Sequence, residues 1–253
     1  MLTEQQVAQY HEDGYVVPDF RLPPETIAAI RADHDRLLSK HPEFRNYCSR
    51  LLEYDLSFLN YARIPEILEM VGQVIGPDFA LWNSSFFAKP AHDGHATPWH
   101  QDGEYWPIRP LATCTVWIAV DAATPENGCL RIIPGSHKDR RLRKHNTNDA
   151  PNLTLNQELA ADEYDPSTAV DLVLEEGQIS LHDVYLLHGS EANASANPRR
   201  GMTLRFMPTS SVFDRELAHD IYKRIGQTDH AHRTLYLMRG RDLSGQNDFA
   251  MRQ

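Results

Sequence analysis

The chain is predicted to be mainly β with helices in front. Three observations carry that expectation. Helix caps and helical periodicity are confined to about residues 1–77, the pattern turns to strands at Phe79, and short apolar runs then recur between turn signals to about residue 208. A helical lead-in (about 1–77), a β body (about 78–208) and a C-terminal segment (209–253) follow. No linker, repeat or low-complexity tract separates them, so one domain is expected.

The elements are justified in order. Thr3 with Gln6 makes a capping box, and Gly14 stops the helix it opens. Tyr15-Val16-Val17 reads as a short strand. Pro23-Pro24-Glu25 starts a second helix that runs to about Lys40, with Ile27, Ile30 and Leu37 on its apolar side. A third helix spans about Pro65 to Ile75 and ends at Gly76. Phe79 to Lys89 is long enough to cross a sheet, and Asn83, Ser85, Phe87 and Lys89 share one face. Such a polar row is more often solvated than the lining of a wet pocket, and both readings stay open on parity alone.

Thr97 to His100 is a short strand, and Thr113 to Val120 a clear one. Glu126-Asn127-Gly128 is a turn, and Asn-Gly is a hairpin signal, with Cys129 to Ile133 as the returning strand. Residues 138–165 lack apolar periodicity and read as a long surface loop, with a lid as one option. Strands are expected again at Ala169–Leu174, Gln178–Leu181, Tyr185–His188 and Gly201–Met207. The segment from Thr209 carries no clear assignment.

Composition excludes several classes. A net charge of −10 argues against a general nucleic-acid binder. No run approaches 18 apolar residues, so no membrane span is expected. Cys48, Cys114 and Cys129 show no metal or disulfide spacing. With no signal-peptide pattern at the start, reduced thiols in a cytoplasmic protein are the expectation, as a monomer or homodimer acting on a small molecule.

The chemistry concentrates at His100-Gln101-Asp102. On a strand, residues i and i+2 face the same way, so an imidazole and a carboxylate can grip one metal ion. A second histidine would complete the two-histidine, one-carboxylate set of non-haem Fe(II) oxygenases. His188 follows an apolar run and precedes Gly189-Ser190; by itself it is as readily a core histidine bonded to a carbonyl. Arg199 offers a fixed fork for a carboxylate, or is a solvated strand-end arginine.

His100-Gln101-Asp102, then Asn127-Gly128-Cys129-Leu130 and Ile133-Pro134-Gly135-Ser136-His137, then His188-Gly189-Ser190 with Asn193, Ser195 and Arg199, together resemble the phytanoyl-CoA dioxygenase family. The resemblance spans about residues 3–207. It implies a double-stranded β-helix (jelly roll, cupin-like) and a dioxygenase using Fe(II), 2-oxoglutarate and O₂, with succinate and CO₂ as co-products. It implies His100, Asp102 and His188 as catalytic iron ligands and Arg199 as the 2-oxoglutarate arginine. Ser190, Trp117 and Lys89 match further cosubstrate positions, Ser85 shares the face of Lys89, and Gln101 lies between two ligands. Related halogenases lack the carboxylate, so Asp102 favours hydroxylation, with desaturation or ring closure as the alternatives.

His182 is the competing distal histidine. The family spacing to Gly189, Ser190 and Arg199 runs from His188, which leaves His182 to touch substrate or brace a strand. Arg205 shares strand parity with Arg199, and its anionic partner is either substrate or a structural carboxylate. Asn83, Tyr105, Trp106, His182 and Arg205 are the substrate candidates, which fit a small polar or anionic molecule better than a fatty acyl chain. The basic run Lys138–Lys144 reads as a solvated loop, with a cover over an anionic substrate as the alternative. A metal-dependent isomerase or a binding module on the same fold is the other class, and neither would require Arg199.

Overall fold

The computed structural model describes residues 1–252. Helix α1 (Glu4–Asp13) has the expected capping box: Thr3 Oγ1 accepts from the Gln6 amide while the Gln6 side chain accepts from the Thr3 amide. Gly14 ends the helix at φ +82°, where a Cβ would strain the backbone, and β1 (Tyr15–Val16) follows. Helix α2 (Pro24–Lys40) buries Ile27, Ile30 and Leu37 as its spacing predicts. Between it and the third expected helix lie β2 (Tyr47–Cys48), α3 (Leu51–Tyr54) and α4 (Leu59–Ala62), too short to announce themselves by periodicity. The third expected helix is α5 (Pro65–Ile75), which stops at Gly76.

The β body is two facing sheets. Its strands are β3 (Phe79–Lys89), β4 (Thr97–His100), β5 (Ile108–Arg109), β6 (Cys114–Ala119), β7 (Leu130–Ile132), β8 (His145–Thr147), β9 (Gln157–Leu159), β10 (Val170–Leu172), β11 (Ile179–Asp183), β12 (His188–Ser190), β13 (Arg199–Pro208), β14 (Val212–Phe213) and β15 (Tyr236–Arg239). The larger sheet runs β1-β11-β6-β13-β3-β15, with β2 also on β3; the smaller runs β10-β7-β12-β4. All their pairings are antiparallel, as a jelly roll requires.

Helices α1, α2 and α5 cover the outer face of the larger sheet, where Leu81, Phe86, Val116, Ile118, Met202 and Leu204 join them in one apolar cluster. The inner face looks toward the smaller sheet. Trp117, Leu130, Ile132 and Leu186 seal one end of that space, and Trp82, Tyr105, Trp106 and Ile221 pack at the other. A register shift between Arg205 and Phe206 makes Trp82 the extra residue on β3. Because that bulge lies before Asn83, the alternation from Asn83 to Lys89 survives it. Buried on both faces, this polar row is interior (Asn83 is 3% exposed, Ser85 0%).

The tertiary structure corrects four expectations and assigns one open segment. Asn127-Gly128 does not close a hairpin: β6 belongs to the larger sheet and β7 to the smaller, so this turn is the crossing between them. Val184–Leu187 is not a strand but the connection from β11 to β12, and His188-Gly189-Ser190 is strand, not turn. Residues 138–165 contain the β8–β9 hairpin, and Leu155, Leu159 and Ala160 are buried, so this is not a surface loop throughout. The unassigned C-terminal segment supplies helix α6 (Arg215–Ile225) and the edge strand β15. Its signals were present: Asp214 accepts from Leu217 N as an N-cap, and Gly226 stops the helix. Finally, Asp102 lies past the end of β4 in a 3₁₀ turn, so strand alternation is not what aims it beside His100.

Candidate active site

His100 and His188 are cross-strand neighbours on β4 and β12 of the smaller sheet. The 3₁₀ turn after β4 swings Asp102 in beside them. One ligand atom from each of the three lies within 4.8 Å of the others, and all three residues are buried. The two imidazoles are held alike. Nδ1 of His100 lies 2.8 Å from the Pro98 carbonyl, and Nδ1 of His188 lies 2.9 Å from the Leu186 carbonyl. A carbonyl only accepts, so each Nδ1 carries the proton and each Nε2 lone pair is free for a metal. Burial, with His100 beside it, pushes His188 down to about 3, which keeps the ring neutral. Burial works to raise the Asp102 carboxyl, but His100 and His182 outweigh it and hold it well below the carboxylate range. Two imidazoles, each with Nδ1 held by a carbonyl, and one carboxylate converging from one side fit Fe(II).

His182 comes from the opposite sheet. Its Nε2 lies 3.7 Å from Asp102 Oδ2, while His100 Nε2 lies 3.7 Å from Oδ1. Thr115 Oγ1 reaches the same Oδ2 at 3.5 Å. His182 thus flanks the carboxylate on the wall of the cavity that holds the metal set, not in the second cleft where the other substrate candidates lie, and the convergent set contains His188.

Beyond the metal set lies a cavity of about 380 Å³, lined by Thr97, Trp117, Leu130, Ser190, Arg199 and Thr203 as well as the three ligands. Arg199 is 1% exposed and makes no ion pair among the described residues. Its guanidinium donates to the carbonyls of Gly128 (3.1 and 2.8 Å) and Phe87 (3.3 Å), lies 3.4 Å from Ser190 Oγ, and sits 5.5 Å from the Trp117 ring centroid. Burial lowers it to about 10, still charged at neutral pH. Gly201 permits this arrangement, since a Cβ there would meet Trp117 at 2.2 Å. Arg200 faces the other way and pairs with Asp121 and Asp35.

A second cleft, about 480 Å³, opens on the other side of Asp102; Asp102, Phe87 and Arg205 wall both spaces. Four of the five substrate candidates, Asn83, Tyr105, Trp106 and Arg205, line this cleft. The Tyr105 hydroxyl accepts from Gln157 N at 3.0 Å and so ties the 138–165 segment to the site. Leu155 of that segment forms part of the cleft wall, while α6 and the stretch after it contribute Ile221, Tyr222, Gln227, Thr228 and His230.

Three expected cosubstrate residues, Gln101, Lys89 and Ser85, are not brought into the cavity. Gln101 turns away: its amide donates to the carbonyls of Arg141 and Tyr185, and its oxygen accepts from Arg143 N at 2.7 Å. Strand alternation sends it to the face opposite His100. The Lys89 ammonium is bonded to the carbonyls of His95 and Glu191 and does not line the cavity. Burial and the nearby Arg199 push it down to about 6. Ser85 supports Arg205 rather than the cosubstrate end, accepting from its Nη1 at 2.6 Å. The basic run lines neither space; Lys138 pairs with Glu12, and Arg141 with Glu163. Sequence reasoning missed Thr115 and Thr203, whose strand parity was readable; Thr97, which reaches the cavity only through the β4–β12 register shift; and Tyr47 and His230, for which no local signal existed.

The Phytanoyl-CoA dioxygenase (PhyH) family model matches residues 10–201. The peroxisomal phytanoyl-CoA dioxygenase of Mus musculus is 32% identical over 189 residues, covering 71% of this chain and 53% of that protein. The Homo sapiens protein is 27% identical over 233 residues, covering 81% of this chain and 68% of that one. The chain thus spans about half to two thirds of the length of these curated relatives. Among solved structures, apo ThoJ, a non-heme monooxygenase, superposes with a TM-score of 0.73 at 22% identity over 95% of this chain and 86% of that one. SnoK, a non-heme alpha ketoglutarate dependent carbocyclase from nogalamycin biosynthesis, gives 0.68 at 24% identity over 84% and 87%. At these identities the likeness establishes the jelly-roll fold.

Proposed function

The chain belongs to the phytanoyl-CoA dioxygenase family, and from that premise we propose that it is an Fe(II)- and 2-oxoglutarate-dependent dioxygenase that hydroxylates a small polar or anionic molecule. The observation that carries the reading is a buried His100–Asp102–His188 set sharing one cavity with a buried arginine, Arg199, that has no acid partner among the described residues. An isomerase or a binding module that takes no 2-oxoglutarate would not require that arginine.

Fe(II), 2-oxoglutarate and O₂, when bound, supply the oxidant for a substrate C–H bond and release succinate and CO₂. The chain's own residues bind and orient. His100 and His188 present Nε2 because two carbonyls hold their Nδ1 protons. Asp102 stays ionised, so it ligates without first losing a proton. Arg199 presents a charged fork to the distal carboxylate of the cosubstrate, with Ser190 beside it and Trp117 beneath, and its carbonyl bonds fix the fork before binding. Leu130 and Trp117 keep water from that end. Lys89 and Gln101 act behind this layer, Lys89 by tying the chain near Glu191 and Gln101 by holding residues 141–143.

The test is succinate release with Fe(II), ascorbate and 2-oxoglutarate across small acids, amino-acid derivatives, phosphonates and branched acyl-CoA esters. Stimulation by small acids is expected. Efficient oxidation of an acyl-CoA with the small acids inert would overturn the substrate class, and absence of 2-oxoglutarate binding would overturn the reaction class.

A further inference from the structure

The cleft beyond Asp102 holds two N–H donors that the chain itself leaves unused. Arg205 is 4% exposed, and its guanidinium lies between two rings, 5.2 Å from the Trp106 centroid and 5.7 Å from that of Phe87. It donates once, to Ser85 Oγ. Its Nε has no partner, and it forms no ion pair among the described residues. A buried cation left this way is expensive unless an anion arrives. The carboxylate that shares its walls is Asp102, and that group belongs to the metal set.

His230 is the second donor, and its tautomer is decided by a neighbour. Arg233 Nε donates to His230 Nδ1 at 2.8 Å, and an arginine nitrogen only donates. Nδ1 therefore accepts and the ring proton sits on Nε2, which makes no hydrogen bond within the described chain. Arg233 is itself fixed, donating to the Ser49 carbonyl at 2.8 Å and lying 3.5 Å from Glu53 Oε1. The ring stands edge-on to Trp82 and lines the cleft. Arg205 and His230 both fall after residue 201, beyond the stretch that the family model matches.

We propose that the substrate is an organic acid with an apolar or aromatic body, its oxyanion accepting from the Arg205 guanidinium and from Nε2–H of His230. The body then lies against Trp106, Leu155 and Ile221, which give the cleft its apolar walls. Because Arg205 and Asp102 wall both spaces, the acid group is held beside the metal set. The assignment rests on the oxygenase reading and narrows it: the substrate is a free acid rather than an ester, amide or thioester.

Binding tests this without requiring turnover. Full-length protein loaded with Mn(II) and saturating 2-oxoglutarate is titrated with 3-phenylpropanoate, indole-3-acetate and octanoate, and with their primary amides, by calorimetry. At least one acid is expected to bind ten times more tightly than its amide. Arg205→Met and His230→Leu should each remove most of that preference, and Arg205→Lys should keep part of it. Affinity for 2-oxoglutarate should stay within about twofold in all three. Equal binding of acids and amides, no binding by any of the three acids, or a preference untouched by Arg205→Met overturns the proposal. So does a loss of 2-oxoglutarate affinity in Arg205→Met, which would make Arg205 a cosubstrate residue. The wild-type comparison of acid with amide stands even if a variant fails to fold. Failure of wild-type protein to bind 2-oxoglutarate at all would instead strike the oxygenase reading.

Discussion

The two spaces on either side of Asp102 are built by opposite rules. In the cosubstrate cavity the cation is braced before anything binds: Arg199 donates to two backbone carbonyls and lies over Trp117. Its walls come from β3, β4, β6, β7, β11, β12 and β13, paired strands of the two sheets. In the other cleft, Arg205 Nε and Asn83 Oδ1 lack partners, and much of the wall comes from α6 and the residues after it. A braced site suits one unchanging cosubstrate, because its donors are already aimed. A cleft with unused donors on late chain elements suits a ligand that differs between members of a fold, because those elements vary without disturbing strand pairing.

The largest effect expected is at the shared boundary. His100→Ala, Asp102→Ala and His188→Ala should each abolish succinate formation and weaken Fe(II) binding, while the metal-free proteins still unfold cooperatively. Wild-type turnover in His188→Ala with its loss in His182→Ala would exchange the roles assigned to these histidines.

Within the cosubstrate cavity, Arg199→Met removes a charge-assisted contact of about 1.5–3 kcal/mol, so 2-oxoglutarate affinity should fall roughly ten- to a hundredfold. Arg200→Ala, on the outer face with Asp121, should change it less than about twofold. Equal losses in the two variants would show that the cavity is not selectively braced by the inner arginine.

A third prediction separates both spaces from the scaffold beneath them. His34 stacks on Phe86 at 4.0 Å with both ring nitrogens unpartnered, and burial pushes it down to about 4. Between pH 6.5 and 4 the unfolded chain binds the extra proton, so stability falls as pH falls; the shift corresponds to about 3 kcal/mol. His34→Phe should flatten that limb in denaturant titrations of metal-free protein. An unchanged pH dependence would place the acid sensitivity in the active-site histidines instead.

The fourth compares rigidity directly. Gly201→Ala drives a Cβ into Trp117, and overpacking of this kind costs about 1–3 kcal/mol. Tyr222→Ala, at the partly exposed mouth of the other cleft, should leave the melting temperature nearly unchanged. A reversed order would mean that the cleft, not the cosubstrate cavity, is the better-packed region.

Much of the site was legible because its chemistry is local. His100 and Asp102 are two residues apart, and Ser190 and Arg199 follow His188 at short spacing, so the family motifs named these candidates before any fold was known. The end points of α1, α2 and α5 were legible for the same reason, since caps act within four residues. Lys89 and Gln101 misled because residue type and neighbourhood do not say which way a side chain turns. Once folded, backbone carbonyls of residues 95, 141, 185 and 191 claimed their donors.

By itself, then, the sequence determined the helical lead-in, most strands of the β body and, through the family resemblance, a candidate ligand set. The elements follow from spacing along the chain, and the candidate ligands from an ordered set of motifs. Only the tertiary structure decided that Asn127-Gly128 joins two sheets, that the Asn83–Lys89 face is interior, and that Tyr47, Trp106, Leu155, Arg205 and His230 meet in one cleft. Those positions span more than half the chain, and their meeting follows from closure of two sheets around a common space. No local signal encodes that closure, because it depends on which apolar faces bury one another once every strand is present.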